Sequence, residues 1–301
     1  MNKQLRIIHT TEYHYREPVR FGPHRVLMRP RESHDLRIIR AAAEVSPMSS
    51  IDWLRDIHGN SIALISFLEP AAHLRIHSDL VVDLAEDRMR ECGIASLARE
   101  YPFQYEADEQ IDILPFRIPS YPHDGPVLKE WLKRVYTPGT LVNTLELLKH
   151  LNTAIHETLQ YQWRGEYGVQ LPCESLRLGT GSCRDYAVLM METARHLGFA
   201  SRFVTGYIQM EAGQHGATHA WAEIYLPGAG WRGFDPTNNK MAGPEHVPVA
   251  VTREQEKAAP ISGTWDGPDG AFDRMEVIVR VEEVQPGSTP GCETSGGVSG
   301  R

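Results

Sequence analysis

A thiol, an imidazole and a carboxylate in the second half of the chain have the types and flanks that acyl-transfer chemistry requires. Cys183 lies in Gly179-Thr180-Gly181-Ser182-Cys183-Arg184-Asp185-Tyr186-Ala187, which reads as a glycine-hinged turn delivering a cysteine to a helix start. Ser182 stands where an N-cap belongs and Asp185 follows three residues on, the pattern of a capping box. At the first helical position a thiol meets amides that the first turn leaves unpaired and the positive end of the peptide dipoles. Both favour the thiolate, which is the nucleophilic form. Arg184 acts in the same sense, and Asp185 opposes it with a charge partly spent on capping. Most free cysteines are inert, buried small residues, so this one needs partners before it counts as a nucleophile.

Residues 218–235 supply them. In Thr218-His219-Ala220-Trp221-Ala222-Glu223-Ile224-Tyr225-Leu226, Ala220, Ala222, Ile224 and Leu226 line one face of a strand. His219, Trp221, Glu223 and Tyr225 line the other. The return strand ends at Asp235, before Pro236. Asp235 shares the face of His219 only if the hairpin register has the right parity, for example Tyr225 opposite Trp231, with a five-residue loop from Leu226 to Gly230. A four-residue loop would turn it away unless a bulge intervenes. In the permissive register His219 stabilises the thiolate as imidazolium and later protonates the leaving group, while Asp235 fixes its tautomer and orientation. Backbone N–H groups at the helix start, that of Cys183 among them, point where an oxyanion would form.

The elements that must position these groups can be read from spacing. Ala187, Leu189, Met190, Met191, Ala194 and Leu197 give the helix from Cys183 a broad apolar face over about four turns, and Gly198 ends it. Thr140 to Gln160, with Leu141, Leu145, Leu148, Leu151, Ile155 and Leu159 at helical spacing, predicts a long amphipathic helix, and Val127 to Val135 and Pro172 to Arg177 predict shorter ones. Ser201 to Met210 and Ala217 to Leu226 read as strands flanking a loop with Gly213 and Gly216, and Val247 to Val251 and Arg274 to Val284 as late strands. Before residue 86 the chain reads as short strands (Leu5 to Tyr15, Leu36 to Ile39, Ile62 to Leu68, Leu80 to Leu84), broken at Pro18, Gly22-Pro23, Pro30 and the turn His58-Gly59-Asn60. This predicts a small sandwich or barrel. The expected division is a β-rich N-terminal domain at 1–85, an acidic and proline-rich connector at 86–126, a catalytic core at 127–284 and a disordered tail at 285–301 rich in Gly, Ser, Thr and Pro.

Composition narrows the class. With 301 residues, 41% hydrophobic and 23% charged, the chain resembles an ordinary soluble protein. It has no apolar run of membrane-spanning length, and its first residues carry no secretion signal, so the cytoplasm is the expected compartment. The four cysteines, Cys92, Cys173, Cys183 and Cys292, form no C-x-x-C pair, which argues against a zinc ribbon or a disulfide framework and for reduced thiols. A net charge of −8 favours neither nucleic acid nor an anionic membrane as partner. Residues 1–40 hold nine Lys/Arg against four Asp/Glu, and 83–112 hold three against nine, which reads as solvated strand faces or complementary packing. His9, His14, His24 and His34 invite a metal, but without an accompanying acid at ligand spacing they read as ordinary histidines.

Taken together, Gly-Thr-Gly-Ser-Cys183-Arg-Asp-Tyr-Ala, Arg202-Phe203-Val204-Thr205-Gly206-Tyr207, His219-Ala-Trp221-Ala-Glu223-Ile-Tyr225-Leu-Pro-Gly, Gly230-Trp231 and Asp235-Pro236-Thr237-Asn238-Asn239 closely resemble the bacterial transglutaminase-like superfamily. His9-Thr10-Thr11-Glu12-Tyr13-His14-Tyr15, Pro18-Val19, Leu27-Met28-Arg29-Pro30-Arg31 and Asp56-Ile57-His58-Gly59-Asn60 resemble the β-rich region that often precedes this core in bacteria. The resemblance implies an α+β, papain-like core and acyl transfer from an amide. In it Cys183 would be nucleophile, His219 general base and acid, and Asp235 orienter, in the family's order. It implies a peptide or protein substrate and no cofactor, and no calcium-binding loop motif is present.

Gln162, Trp163 and Tyr167 lie where a side-chain oxyanion donor is expected in this family, and spacing does not choose among them. Arg184 and Asp185 are expected to form salt bridges and caps. Glu223 can meet a substrate amine or serve as an ordinary strand residue; Trp221 and Trp231 can wall a groove or pack half-buried. The leading expectation is a cysteine-dependent hydrolase of peptide or protein amides, followed by a glutamine-directed transglutaminase or deamidase. A non-catalytic protein-binding module on the same fold is the alternative of another class, and a metal-binding protein ranks below it. Retention of all three polar residues speaks against the binding module.

Overall fold

A computed structural model describes residues 3–85, 93–209 and 218–284. The expected tail at 285–301, Gly213, Gly216, Cys92 and Cys292 lie outside the described residues. The first part of the chain is all strand: β1 (Lys3–Phe21), β2 (His24–Val26), β3 (Leu36–Ser46), β4 (Ser49–Arg55), β5 (Ser61–Phe67) and β6 (Ala71–Leu84). Strict inward-outward alternation along β6 buries Leu74, Ile76, Leu80, Val82 and Leu84. Pro18 does not end β1, because it falls in the gap between His14 and Val19 where the ladder to β6 is interrupted, so its missing N–H leaves no bond unmade. Strand β4 was not expected, since most of its side chains are exposed and no apolar alternation marks it.

Next come β7 (Glu100–Tyr101), α1 (Ala107–Arg117), α2 (Gly125–Leu132), β8 (Val142–Asn143), α3 (Thr144–Thr158), β9 (Gln160–Tyr161), α4 (Pro172–Leu178), β10 (Thr180–Gly181) and α5 (Cys183–His196). The chain then adds β11 (Ser201–Ile208), β12 (Thr218–Leu226), β13 (Gly230–Asp235), β14 (Lys240–Met241), β15 (His246–Thr252), β16 (Ile261–Ser262), β17 (Trp265–Asp266) and β18 (Phe272–Val284). The central antiparallel sheet has the order β14-β13-β12-β11-β15. Helix α5 lies on one face, where Ala220, Ala222, Ile224, Leu226 and Phe234 meet Tyr186, Met190 and helices α2 and α3. On the other side Tyr207, Val247 and Val249 pack against Leu5, Ile7, Leu80 and Val82 of the N-terminal sheet.

That sheet runs β17-β1-β6-β3 with β18 also on β1, and a second one, β16-β2-β5-β4, covers it to enclose Val19, Val26, Met28, Ile65, Leu74 and Ile76. The molecule is thus α+β, with helices on an antiparallel sheet preceded by a β-sandwich. Residues 272–284, grouped with the core at 127–284 in the sequence reading, run antiparallel along β1 instead. The physical reason is that Val279 and Val281 enter the same apolar cluster as Leu5 and Ile7.

Polar ties join the layers. The Asn60 amide donates to Val251 O at 2.7 Å and accepts from Val251 N–H at 2.9 Å, extending the sheet by one side chain. The connector stretch 116–121 is held by a buried Glu192–Arg195 pair at 2.6 Å on α5. Glu192 accepts from the N–H groups of Ser120 and Tyr121, while Arg195 donates to Phe116 O, Ser201 O and Arg253 O. A buried ion pair persists only when its remaining hydrogen-bonding capacity is met in this way.

Candidate active site

The helix start forms as its letters require. Ser182 is extended at φ −87° and ψ 171°, and the capping box with Asp185 is closed, Asp185 Oδ2 accepting from Ser182 N–H at 2.7 Å. The same carboxylate accepts from Arg164 at 2.9 Å and from Gln170 N–H at 2.7 Å. Its charge is therefore balanced by a guanidinium that no spacing rule singles out, and the negative potential expected beside the thiol is offset. Among the described residues Arg184 makes no salt bridge of the expected kind; it donates to the carbonyls of Arg164 and Glu166. Together the two side chains hold the loop 162–170 against the helix start.

His219 reaches the thiol from β12. The hairpin has Tyr225 opposite Trp231, the permissive register, and Leu226 pairs with Gly230 as well, so the turn proper is the three residues 227–229. Gly206 of β11 lies directly opposite His219, and a Cβ there would fall 2.1 Å from Val247 O and 2.8 Å from the Trp221 ring. Glycine is required because β15 and the indole cross the strand at this point. His219 Nε2 meets Asp235 Oδ2 at 2.8 Å, which leaves Nδ1 for the thiol of Cys183, close enough to this imidazole to act on its proton affinity. Burial alone would lower the pKa of His219. The bond to Asp235, the nearness of Cys183 and the charges of both override it and raise the pKa to about 10.

Asp235 is fully buried and its carboxylate is saturated. Burial raises its pKa, but the bonds from His219 and His246, the charge of His219 and the Asn238 amide outweigh it and hold the carboxyl far below its ordinary range. The Asn238 side chain donates at 2.7 Å and its backbone N–H at 3.2 Å, closing the loop after Asp235 on itself. Helix α3, expected only to pack, fastens that loop: His156 Nδ1 donates to Pro236 O at 3.0 Å, and Thr153 donates to the side-chain oxygen of Asn239, whose φ is +49°.

His246 was missed by the sequence reading. It stands at the head of β15, and only the apolar residues from Val247 onward signal that strand. Its Nε2 lies 3.0 Å from Asp235 Oδ2, and its Nδ1 accepts from Gly243 N–H at 3.1 Å. Because the amide can only donate, Nδ1 carries the lone pair and Nε2 the proton, so His246 is a neutral imidazole aimed at the carboxylate. Burial lowers its pKa, which keeps it neutral.

Two family models match the chain: the bacterial transglutaminase-like N-terminal region over residues 5–83 and the transglutaminase-like superfamily over 134–236. Residues 134–236 are thus a transglutaminase-like core. Uncharacterized proteins of Mycobacterium tuberculosis and Mycobacterium bovis are each 26% identical to it over 292 residues, covering 86% of this chain and 87% of theirs. A candidate cysteine protease from Cytophaga hutchinsonii has the same fold, with a TM-score of 0.71, 20% identity and coverage of 96% and 93% of the two chains.

Within this transglutaminase-like fold the remaining expected residues separate. Gln162 N–H donates to Gly181 O at 2.8 Å at the end of the parallel β9–β10 pair, which places Gln162 beside the Ser182-Cys183 turn. Tyr161, not singled out by the sequence reading, lies near enough to Cys183 to feel its charge. Trp163 and Tyr167 project outward, 74% and 80% exposed. Trp221 does not wall a groove. It is buried with Val204 and Val251, stacks behind His219 and meets His246 edge-on, shielding the ion pair from water. Glu223 is bound to Arg202 at 2.6 Å, and Arg202 in turn lies over the Trp231 ring at 4.1 Å. Its carboxylate is thus already paired on the sheet. No helix among the described residues is long and apolar enough to cross a membrane.

Proposed function

We propose that the protein is a cysteine-dependent hydrolase of peptide or protein amide bonds, with Cys183, His219 and Asp235 as nucleophile, general acid/base and orienting group. The observation that carries this reading is the convergence of Cys183, His219 and Asp235, with the buried His219 bonded to Asp235 at 2.8 Å and its pKa raised to about 10 by Asp235 and Cys183 against its burial. At neutral pH the proton then rests on the imidazole.

Cys183 Sγ adds to the substrate carbonyl carbon, and the oxyanion is met by the Cys183 N–H, which the first helical turn leaves unpaired. Gln162, beside that turn, is the side-chain donor this reading selects from Gln162, Trp163 and Tyr167. His219 gives its proton to the departing amine as the C–N bond breaks, leaving a thioester on Cys183. Water then attacks the thioester while His219 takes its proton, and breaking the C–S bond frees the carboxylic acid and restores the Cys183 thiolate beside the His219 imidazolium. No step calls for a cofactor or metal.

The test is to incubate the protein with peptide libraries, with and without a primary amine, and to read product masses. Hydrolysis predicts chain cleavage with addition of water, unaffected by the amine and abolished by Cys183→Ala. Amine incorporation at glutamine, or glutamine-to-glutamate conversion without cleavage, would replace the reading by the transglutaminase or deamidase one. A Cys183→Ala variant with undiminished turnover would end both.

A further inference from the structure

Away from the thiol, the exposed side of the N-terminal sheet brings together three side chains that the catalytic reading does not use. Glu12 and His14 are two residues apart on β1 and so share a face, and His73 of β6 is directly opposite His14. The two imidazoles stack with centroids 4.6 Å apart and planes 28° from parallel. Both present Nε2 to the same carboxylate oxygen: Glu12 Oε2 is 3.6 Å from His14 Nε2 and 3.5 Å from His73 Nε2. Both Nε2 atoms are buried and have no hydrogen-bond partner among the described residues. The second oxygen of Glu12 is engaged by Arg75 at 3.3 Å, which fixes the carboxylate and leaves Oε2 facing the rings.

We infer that Glu12, His14 and His73 form a binding site for a zinc-class divalent transition ion that clasps β1 to β6. Ligand atoms about 2.0–2.2 Å from a tetrahedral zinc lie about 3.3–3.6 Å from one another. Each nitrogen here is already within a few tenths of an ångström of that separation from the shared oxygen. Two imidazoles and one carboxylate suit zinc and its first-row neighbours rather than calcium or magnesium, which require oxygen ligands. The placement supplies a purpose. His14 and His73 are the last regular pair before the β1–β6 ladder breaks, and β1 also shifts against β18 between His14 and Tyr15. An ion bound there replaces, with two strand-bridging bonds, the hydrogen bonds that the ladder stops making.

Taken alone, Glu12 and His14 are an incomplete ligand pair, which is why the N-terminal histidines read as ordinary ones from their letters. Strand pairing supplies the third ligand, His73, from a part of the chain that no local motif connects to His14.

The test uses the full chain, stripped with a chelator and titrated with zinc against a chromophoric competitor. The protein should take up one more zinc than either His73→Ala or Glu12→Gln, and zinc should raise its melting temperature more than theirs. Cys183→Ala should retain that ion, which keeps this site separate from the thiol. Without any substitution, substoichiometric cobalt should broaden the ring resonances of His14 and His73 first. Equal zinc uptake by the protein and both variants, or broadening confined to His219 and His246, would overturn the proposal.

Discussion

Replacing His246 isolates the carboxylate that everything at the site leans on. In His246→Phe the ring volume against Trp221 is kept, while the Nε2–H bond to Asp235 and the acceptor for Gly243 N–H are both lost. A bond to a charged group is worth about 1.5–3 kcal/mol and a neutral one about 0.5–1.5 kcal/mol. The variant should therefore be about 2–4 kcal/mol less stable to urea. His246→Gln retains an amide donor for Asp235 and should recover the larger share.

Stability alone would not show that the residue positions the acid, so the decisive assay is alkylation of Cys183 against pH on folded protein. With one donor gone, the carboxyl of Asp235 rises from its depressed position and its hold on the His219 imidazolium loosens. At neutral pH the rate constant should fall about ten- to a hundredfold in His246→Phe, the kinetic equivalent of the lost charged bond. The acid limit of the profile should move to higher pH, and His246→Gln should lie between the two. A His246→Phe protein that is destabilised yet alkylates at the wild-type rate across the profile would refute the reasoning and leave His246 a packing residue.

Three further outcomes follow from the same geometry. Iodoacetamide at modest excess should modify Cys183 before Cys173, whose thiol is pushed up by burial and by the neighbouring Asp124 carboxylate; peptide mapping showing equal rates would contradict an activated thiol. Gly206→Ala should cost about 1–3 kcal/mol and slow Cys183 labelling, since the methyl group meets Val247 O and the Trp221 ring; wild-type values of both would show that β11 and β15 yield there at no cost. His9, buried between Thr11 and the Tyr207 hydroxyl, has its pKa lowered to about 4, first by burial and then by His77. Below pH 6.5 the unfolded chain takes up this proton and the folded one does not, so stability should fall by about 3 kcal/mol as the pH drops from 6.5 to about 4. His9→Gln should remove one proton from that dependence in urea titrations at each pH.

What the letters determined about this protein is local. The cap at Ser182 and Asp185, the apolar stripe ended by Gly198 and the two-residue alternation around His219 each arise from contacts within a few residues, where backbone hydrogen-bond accounting allows few solutions. Even the hairpin register could be posed as a parity question, because one residue of slip would have turned Asp235 away from His219. The tertiary structure alone decided which distant groups complete each charge. Arg164 balances Asp185, His246 props Asp235, Trp221 is sealed behind the histidine, β18 returns to β1 and His73 arrives opposite His14. Each of these depends on which strands and loops lie side by side. Burial of charge selects such partners by proximity and desolvation, and neither leaves a periodic trace in sequence.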